Sequence, residues 1–297
     1  NGKAKMTGSS SPKQYTMKDE RDVLVAMRDG VRVAVDIFRP DSDGKFPALL
    51  GMSPYGKGIQ SMTVPYQPPN SPIHHTPIEA GDPEYFASRG YVQIIADVRG
   101  TGHSEGEYLG WISPQEAQDG YDLVEWIAEQ PWCDGNVGMV GISYFGAIQL
   151  PVAAQQPPHL KAIMPWNAPA DFYRESTHHG GILQSFFHYL YVQRICAERS
   201  TSVTVKNSSP EDLKRLIAEL TSDPDIAINP EIFTFADNPG KAPCFFDIVA
   251  NPLDGPYYWD RSPNTMYDRI KIPTYARSGW WAYAHMHLVG AFHNYLG

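Results

Sequence analysis

Cysteine is scarce in this chain: its 297 residues hold three, Cys133, Cys196 and Cys244. Three scattered thiols build neither a disulfide framework nor a metal knuckle, and buried thiols are the expectation. Basic residues are in the minority, 24 Lys and Arg against 33 Asp and Glu, for a net charge of −9. That deficit argues against a nucleic-acid partner and against an anionic membrane surface, both of which call for a basic face. Charged residues reach only 19%, but 42% of the chain is hydrophobic, which rules out a disordered polymer. Residues 1–14 contain no apolar stretch of the signal-peptide kind, and with so few cysteines a cytoplasmic chain is expected. Gly135 to Pro158 carries no charge, yet its glycines and prolines suit turns and short elements better than a membrane helix. There is no internal repeat and no zinc or phosphate motif, so neither a metal nor a cofactor is expected.

What is present is an alternation of strand and helix signals. Val23–Met27 and Val31–Phe38 read as strands joined by the hairpin turn Arg28-Asp29-Gly30. Pro47–Met52 is a short buried-strand candidate, and residues 53–83 form a long Pro-, Gly- and His-rich loop of the kind that carries function. Pro83–Arg89 reads as a helix stopped by Gly90, and Tyr91–Asp97 as a strand. Ser113-Pro114-Gln115-Glu116 is a capping box opening a helix with Ala117, Tyr121, Val124 and Ala128 on one face. Val137–Val140 and Ala162–Pro165 are further strands. Ser209 caps a helix that turns Leu213, Leu216, Ile217 and Leu220 inward. Ile272–Arg277 returns as a strand, and Leu288, Phe292 and Leu296 suggest a last helix. This order predicts an α/β fold with a mostly parallel central sheet. Residues 20–169 are expected to form the first part of the core, 170–265 an inserted helical cap, and 266–297 the continuation of the core.

The sharpest chemical signal is Gly141-Ile142-Ser143-Tyr144-Phe145-Gly146, with a buried strand before it and a helix after it. This is a nucleophile elbow in type, its last glycine one place later than in Gly-x-Ser-x-Gly. A serine on such a strained turn presents its hydroxyl at a helix N-terminus, and the N–H of Tyr144 is placed to donate to an oxyanion.

Several blocks, in order, then resemble the cocaine esterase / X-prolyl dipeptidyl aminopeptidase (CocE/NonD-type) family of α/β-hydrolase serine hydrolases. They are Ser53-Pro54-Tyr55-Gly56-Lys57, Asp97 to Gly106 (DVRGTGHSEG), Gln118 to Asp122, Trp132 to Gly138, the elbow itself, and Asp171 to Glu175. The resemblance spans about residues 20–297 and implies an α/β-hydrolase fold. It implies Ser143 as the acylated nucleophile and Tyr55 as an oxyanion donor beside the Tyr144 amide. A phenol suits that task because it is a neutral donor at pH 7. Asp97 and Arg99 are expected to be a loop-ordering pair, and His103 to be structural.

The chain departs from the family where the rest of the triad belongs. The family's acid follows the strand that here is Ile272–Arg277, and that position reads Ala282. The family histidine lies one strand later, beyond Gly297, and a longer protein is the expectation. Within the chain, His285 is the leading candidate base. His287 and His293 are expected to be structural, as are His74, His75, His178 and His179. The expected substrate is a small ester or amide, with apolar bulk suggested by Phe172, Tyr173, Phe186, Phe187, Tyr189 and Tyr191. Further partners are a C-terminal segment or a second copy, with no nucleic acid and no membrane. Two alternatives stand beside the esterase: an amide acylase or X-prolyl-type peptidase on the same site, and a non-catalytic ligand-binding member lacking a full triad.

Overall fold

The computed structural model describes residues 11–61, 79–185, 199–280 and 284–297. Six strands form one sheet in the order β1-β2-β4-β3-β5-β6. These are β1 (Met17–Ala26), β2 (Arg32–Pro40), β3 (Phe46–Ser53), β4 (Val92–Asp97), β5 (Cys133–Ile142) and β6 (Leu160–Trp166). β1 and β2 are an antiparallel hairpin, and β2 also meets β4 antiparallel. From β4 through β3 and β5 to β6 every pairing is parallel. The hairpin turns at Gly30, as its sequence requires.

β4 is buried along its whole length, as a strand paired on both edges and covered on both faces should be. Helix α1 (Pro83–Ala87) and helix α2 (Pro114–Ala128) supply crossovers. In α2 the capping box is complete: Ser113 Oγ accepts from Glu116 N–H, and the Glu116 side chain accepts from Ser113 N–H. The face that α2 buries runs through Ala117, Gly120, Leu123, Val124 and Ile127, turned slightly from the expected one, so that Tyr121 and Ala128 are only half-buried. The core gathers Val33, Ile37, Leu50, Met52, Ile94, Leu123, Val137 and Met139. Cys133 and Cys244 are both buried; Cys196 lies outside the described residues.

The expected strand Ile272–Arg277 lies along the open side of β6 but does not form a continuous ladder. Ile163 N–H donates to Pro273 O, Tyr275 N–H to Ile163 O, Arg277 N–H to Pro165 O and Asn167 N–H to Arg277 O. The missing rung is the one Pro165 would donate, because proline has no N–H. Only isolated bridges, Ile163 to Thr274 and Trp166 to Arg277, remain.

The last helix, Val289–Leu296, forms where expected, and the face it buries lies opposite the apolar stripe of Leu288, Phe292 and Leu296. Phe292 and Leu296 are 49% and 78% exposed, while Gly290 and Asn294 are buried. The reason is polar docking. Asn294 Nδ2 donates to Ala168 O at 2.9 Å and its Oδ1 accepts from Tyr267 OH at 2.8 Å. A side chain at Gly290 would meet Ala168 O at 2.4 Å, so only glycine permits this approach. Helix Pro210–Ser222 does turn Leu213, Leu216, Ile217 and Leu220 to its covered side. No helix of the described residues is long and apolar enough to cross a membrane.

Candidate active site

β5 ends at Ile142 and the short helix α3 (Tyr144–Ala147) begins two residues later, with Ser143 between them. Ser143 sits at φ 58°, ψ −115°, a left-handed conformation that costs a non-glycine residue of order 1–3 kcal/mol. Its surroundings impose it. Ser143 N–H donates to Trp166 O at 2.8 Å, and its carbonyl accepts from Ala147 N–H. Gly146 lets α3 lie against β6, since a side chain there would come within 2.6 Å of Trp166 O. Tyr144 is the first residue of α3, so its N–H has no acceptor inside the helix.

A histidine reaches Ser143. His287 Nε2 lies 3.1 Å from Ser143 Oγ, and both residues are buried. His287 stands in a π-helical turn, Ala284–Leu288, immediately before the last helix. The docking of that helix through Gly290, His293 and Asn294 therefore sets where His287 sits. The side chain of His285, the leading candidate in the sequence, lies outside the described residues.

Tyr55 follows β3 in the neighbouring loop. Its ring packs edge-on against Tyr144, with centroids 5.8 Å apart, and against Phe145 at 6.1 Å. It thus stands over the two residues that follow Ser143. The Tyr144 side chain points the other way, into the core. Its hydroxyl donates to Glu116 Oε2, accepts from Ile112 N–H at 3.1 Å and lies 3.2 Å from Tyr108 OH. Burial pushes the Glu116 carboxyl up to about 7 against the lowering pull of the Tyr144 hydrogen bond. The elbow is therefore anchored through the same residue whose amide faces the site.

One further carboxyl was not singled out in the sequence. Glu79 lies at the end of the long loop, at φ 73°, and its carbonyl accepts from Ile142 N–H at 2.9 Å. Burial pushes its carboxyl up to about 8. Glu79 was hidden because a lone glutamate in a Pro-rich loop carries no motif. His287 was hidden because its partner is 144 residues away in sequence.

Other named residues have structural partners. Asp97 and Arg99 do not pair with each other, as the sequence led us to expect. Asp97 holds Lys57 Nζ at 2.8 Å, and Arg99 forms a buried fork on Asp119 at 2.8 and 2.6 Å. His103 binds Asp22. Glu175 is committed at both oxygens, to Ala170 N–H and to His293 Nδ1. His178 is stacked on Tyr173 at 4.5 Å, and burial pushes it down to about 4. Phe172 and Tyr173 are buried, Phe172 in a stack with Trp111 at 5.6 Å. Phe186, Phe187, Tyr189, Tyr191, His74, His75 and Ala282 lie outside the described residues. Among the described residues no three His, Cys, Asp or Glu side chains are grouped to hold a metal ion.

The comparisons with known proteins agree on one lineage. A profile of the X-Pro dipeptidyl-peptidase (S15) family matches residues 29–296. The chain is 41% identical over 153 residues to the cocaine esterase of a Rhodococcus species, covering 52% of this chain and 24% of that protein. It is 28% identical over 229 residues to a putative Xaa-Pro dipeptidyl-peptidase of Bacillus anthracis, covering 67% of this chain and 36% of the relative. The solved structure of a CocE/NonD family hydrolase from Staphylococcus aureus superposes with a TM-score of 0.61 at 29% identity, over 86% of this chain and 40% of that one. The chain thus spans between a quarter and two fifths of the length of these relatives. The sheet order, the elbow and the profile converge, and the chain belongs to the X-Pro dipeptidyl-peptidase (S15) family of α/β-hydrolases.

Proposed function

We propose that this chain carries the nucleophile of a serine hydrolase that cleaves a small ester, or an amide, through an acyl-enzyme on Ser143. The observation that carries the reading is the 3.1 Å contact between Ser143 Oγ and His287 Nε2 on a strained strand-to-helix turn. In the first step His287 takes the Oγ proton as Oγ attacks the acyl carbon, and the alcohol or amine departs with that proton. In the second, water attacks the acyl-enzyme with its proton passing to His287, and the C–Oγ bond breaks as Oγ is reprotonated. The Tyr144 N–H and the Tyr55 hydroxyl are the proposed oxyanion donors. Preorganised donors of this kind act where charge appears only in the transition state. Ester cleavage is the first choice because an alcohol is the better leaving group. Residues 170–265 are proposed to cap the site, their aromatic residues favouring an acyl or alcohol group of apolar bulk.

The test is hydrolysis of a p-nitrophenyl ester series and an Xaa-Pro-p-nitroanilide by the wild type and by Ser143→Ala. Ester turnover that Ser143→Ala abolishes is the expected result. Anilide turnover well above ester turnover would make the peptidase reading the better one. Turnover unchanged in Ser143→Ala would overturn both.

A further inference from the structure

Tyr55 serves an oxyanion only if the turn that carries it is held still, and two residues of the sheet hold it. β3 ends at Ser53, which pairs with Asp97 at the end of β4. The chain leaves the sheet through Pro54 and Tyr55 and turns back at Gly56, whose φ of 82° is a left-handed conformation that glycine adopts freely. On the outward side the Tyr55 N–H donates to Ser53 Oγ at 3.1 Å. On the return side Lys57 opens a short 3-10 turn, Lys57–Ser61, so its N–H has no acceptor inside that turn. Asp97 supplies one: Oδ1 accepts from Lys57 N–H at 2.9 Å, and Oδ2 accepts from Lys57 Nζ at 2.8 Å. Tyr55 therefore stands at the crest of a turn whose two feet rest on a single rung of the sheet, Ser53 and Asp97.

Lys57 and Asp97 are both buried, at 5% and 2% exposure. A lysine is almost never so buried unless it is paired. Its ammonium also lies 3.0 Å from Asp22 and 4.0 Å from Asp36, so one cation joins the Tyr55 turn to β1, β2 and β4. The surplus of acid is met from outside: Arg21 Nη1 lies 3.1 Å from Asp36, and His103 Nδ1 lies 2.5 Å from Asp22. Asp97 takes a third donor, the His103 N–H, at 3.0 Å. Gly102 permits that approach, since a side chain there would come within 2.2 Å of the Asp97 carboxyl. Both carboxylate oxygens are thus engaged, and Asp97 has no freedom to follow Lys57 should the turn move. A buried ion pair gains little net stability over an apolar pair of the same size; what it supplies here is a fixed position.

The Tyr55 ring meets Tyr144 and Phe145 edge-on, an arrangement that fixes the ring less tightly than a hydrogen bond fixes a backbone. Its hydroxyl is at the far end of the side chain, so a shift of the turn is carried out to it. Displacement of a reacting or stabilising group by about 1 Å costs about a hundredfold in rate. We propose that Lys57 is a positioning residue of this site, whose buried pairing with Asp97 fixes the turn that holds the Tyr55 hydroxyl where the oxyanion forms. This assignment deepens the acyl-enzyme reading given above and rests on its Tyr55 donor.

The experiment is a double-mutant cycle on p-nitrophenyl ester hydrolysis, with the wild type, Lys57→Met, Tyr55→Phe and the double variant. Lys57→Met keeps an unbranched apolar stem and removes the ammonium. It should lower kcat by about ten- to a hundredfold while KM stays within about threefold. In the Tyr55→Phe background there is no hydroxyl left to place, and the same change should lower kcat by less than about twofold. A merely structural role gives equal losses in the two backgrounds. Asp97→Asn, which puts an amide where Lys57 Nζ finds an acceptor, goes through the same cycle and gives an independent reading should Lys57→Met not fold. Equal losses in the two backgrounds, a change confined to KM, or an unchanged kcat in a folded variant overturns the Lys57 assignment. The acyl-enzyme reading still stands in each of these cases if a fluorophosphonate labels Ser143. An unchanged kcat in Tyr55→Phe overturns the Tyr55 donor and Lys57 with it. No labelling of the wild type at Ser143 overturns both the acyl-enzyme reading and the Lys57 assignment.

Discussion

Replacing Glu116 with glutamine tests how the core holds the elbow. Glu116 is fully buried behind Tyr144 and accepts hydrogen bonds from the Tyr144 hydroxyl and from Ser113 N–H. Burial carries its carboxyl to about 7 from an ordinary 4.5. Because the folded-state value is the higher one, the fold holds the proton more tightly than the unfolded chain does. The stability linked to Glu116 is therefore fully present below about pH 4.5 and is lost as the pH rises through about 7. At about 1.4 kcal/mol per pH unit, the interval is worth about 3 kcal/mol. Glu116→Gln keeps the shape and removes the titration. Its stability relative to the wild type should improve by about 3 kcal/mol between pH 4.5 and pH 8, whatever constant offset the amide introduces. Glu79 titrates in both proteins and cancels from the comparison. Urea unfolding at the two pH values reads this as a relative shift of the midpoint of up to about 1 M, for a slope of about 3 kcal/mol/M or more. A gap constant within about 0.5 kcal/mol across that range would refute the buried, proton-holding carboxyl.

Further outcomes follow from the same geometry. His287→Ala should slow ester hydrolysis by about 10²–10⁴, the usual contribution of a positioned base, and His285→Ala should leave it within about threefold. The reverse ranking would move the base to His285. Tyr55→Phe should lower kcat by about 10²–10³ with little change in KM, as loss of an oxyanion donor does. An effect on KM alone would make Tyr55 a packing residue. Asp119→Ala breaks the buried fork on Arg99 and should cost about 3 kcal/mol in urea unfolding, at the low end for such pairs because Asp29 still holds Arg99 at 2.7 Å.

What could be read in the sequence was local. The Gly30 hairpin, the Ser113 capping box, the Ser209 cap and the Ser143 elbow each depend on residues within a few positions, and each formed where its pattern indicated. The last helix formed, but its apolar stripe, Leu288, Phe292 and Leu296, is not what docks it. Gly290 and Asn294 dock against the Ala168 backbone, an approach that no periodicity encodes. The gap beside β6 follows from Pro165, whose lost donor matters only once the neighbouring segment is known. The site divides along the same line. Ser143 announced itself by its turn, whereas His287 meets it only through tertiary apposition, and the Glu79 backbone reaches Ile142 in the same way.

The central claim is that Ser143 is an activated nucleophile within these residues. Treatment of the chain with a fluorophosphonate, followed by peptide mass spectrometry, tests it most directly. The account predicts a single rapid adduct on Ser143 that His287→Ala slows by about 10² or more. An absence of labelling, or an adduct on another serine, would contradict it.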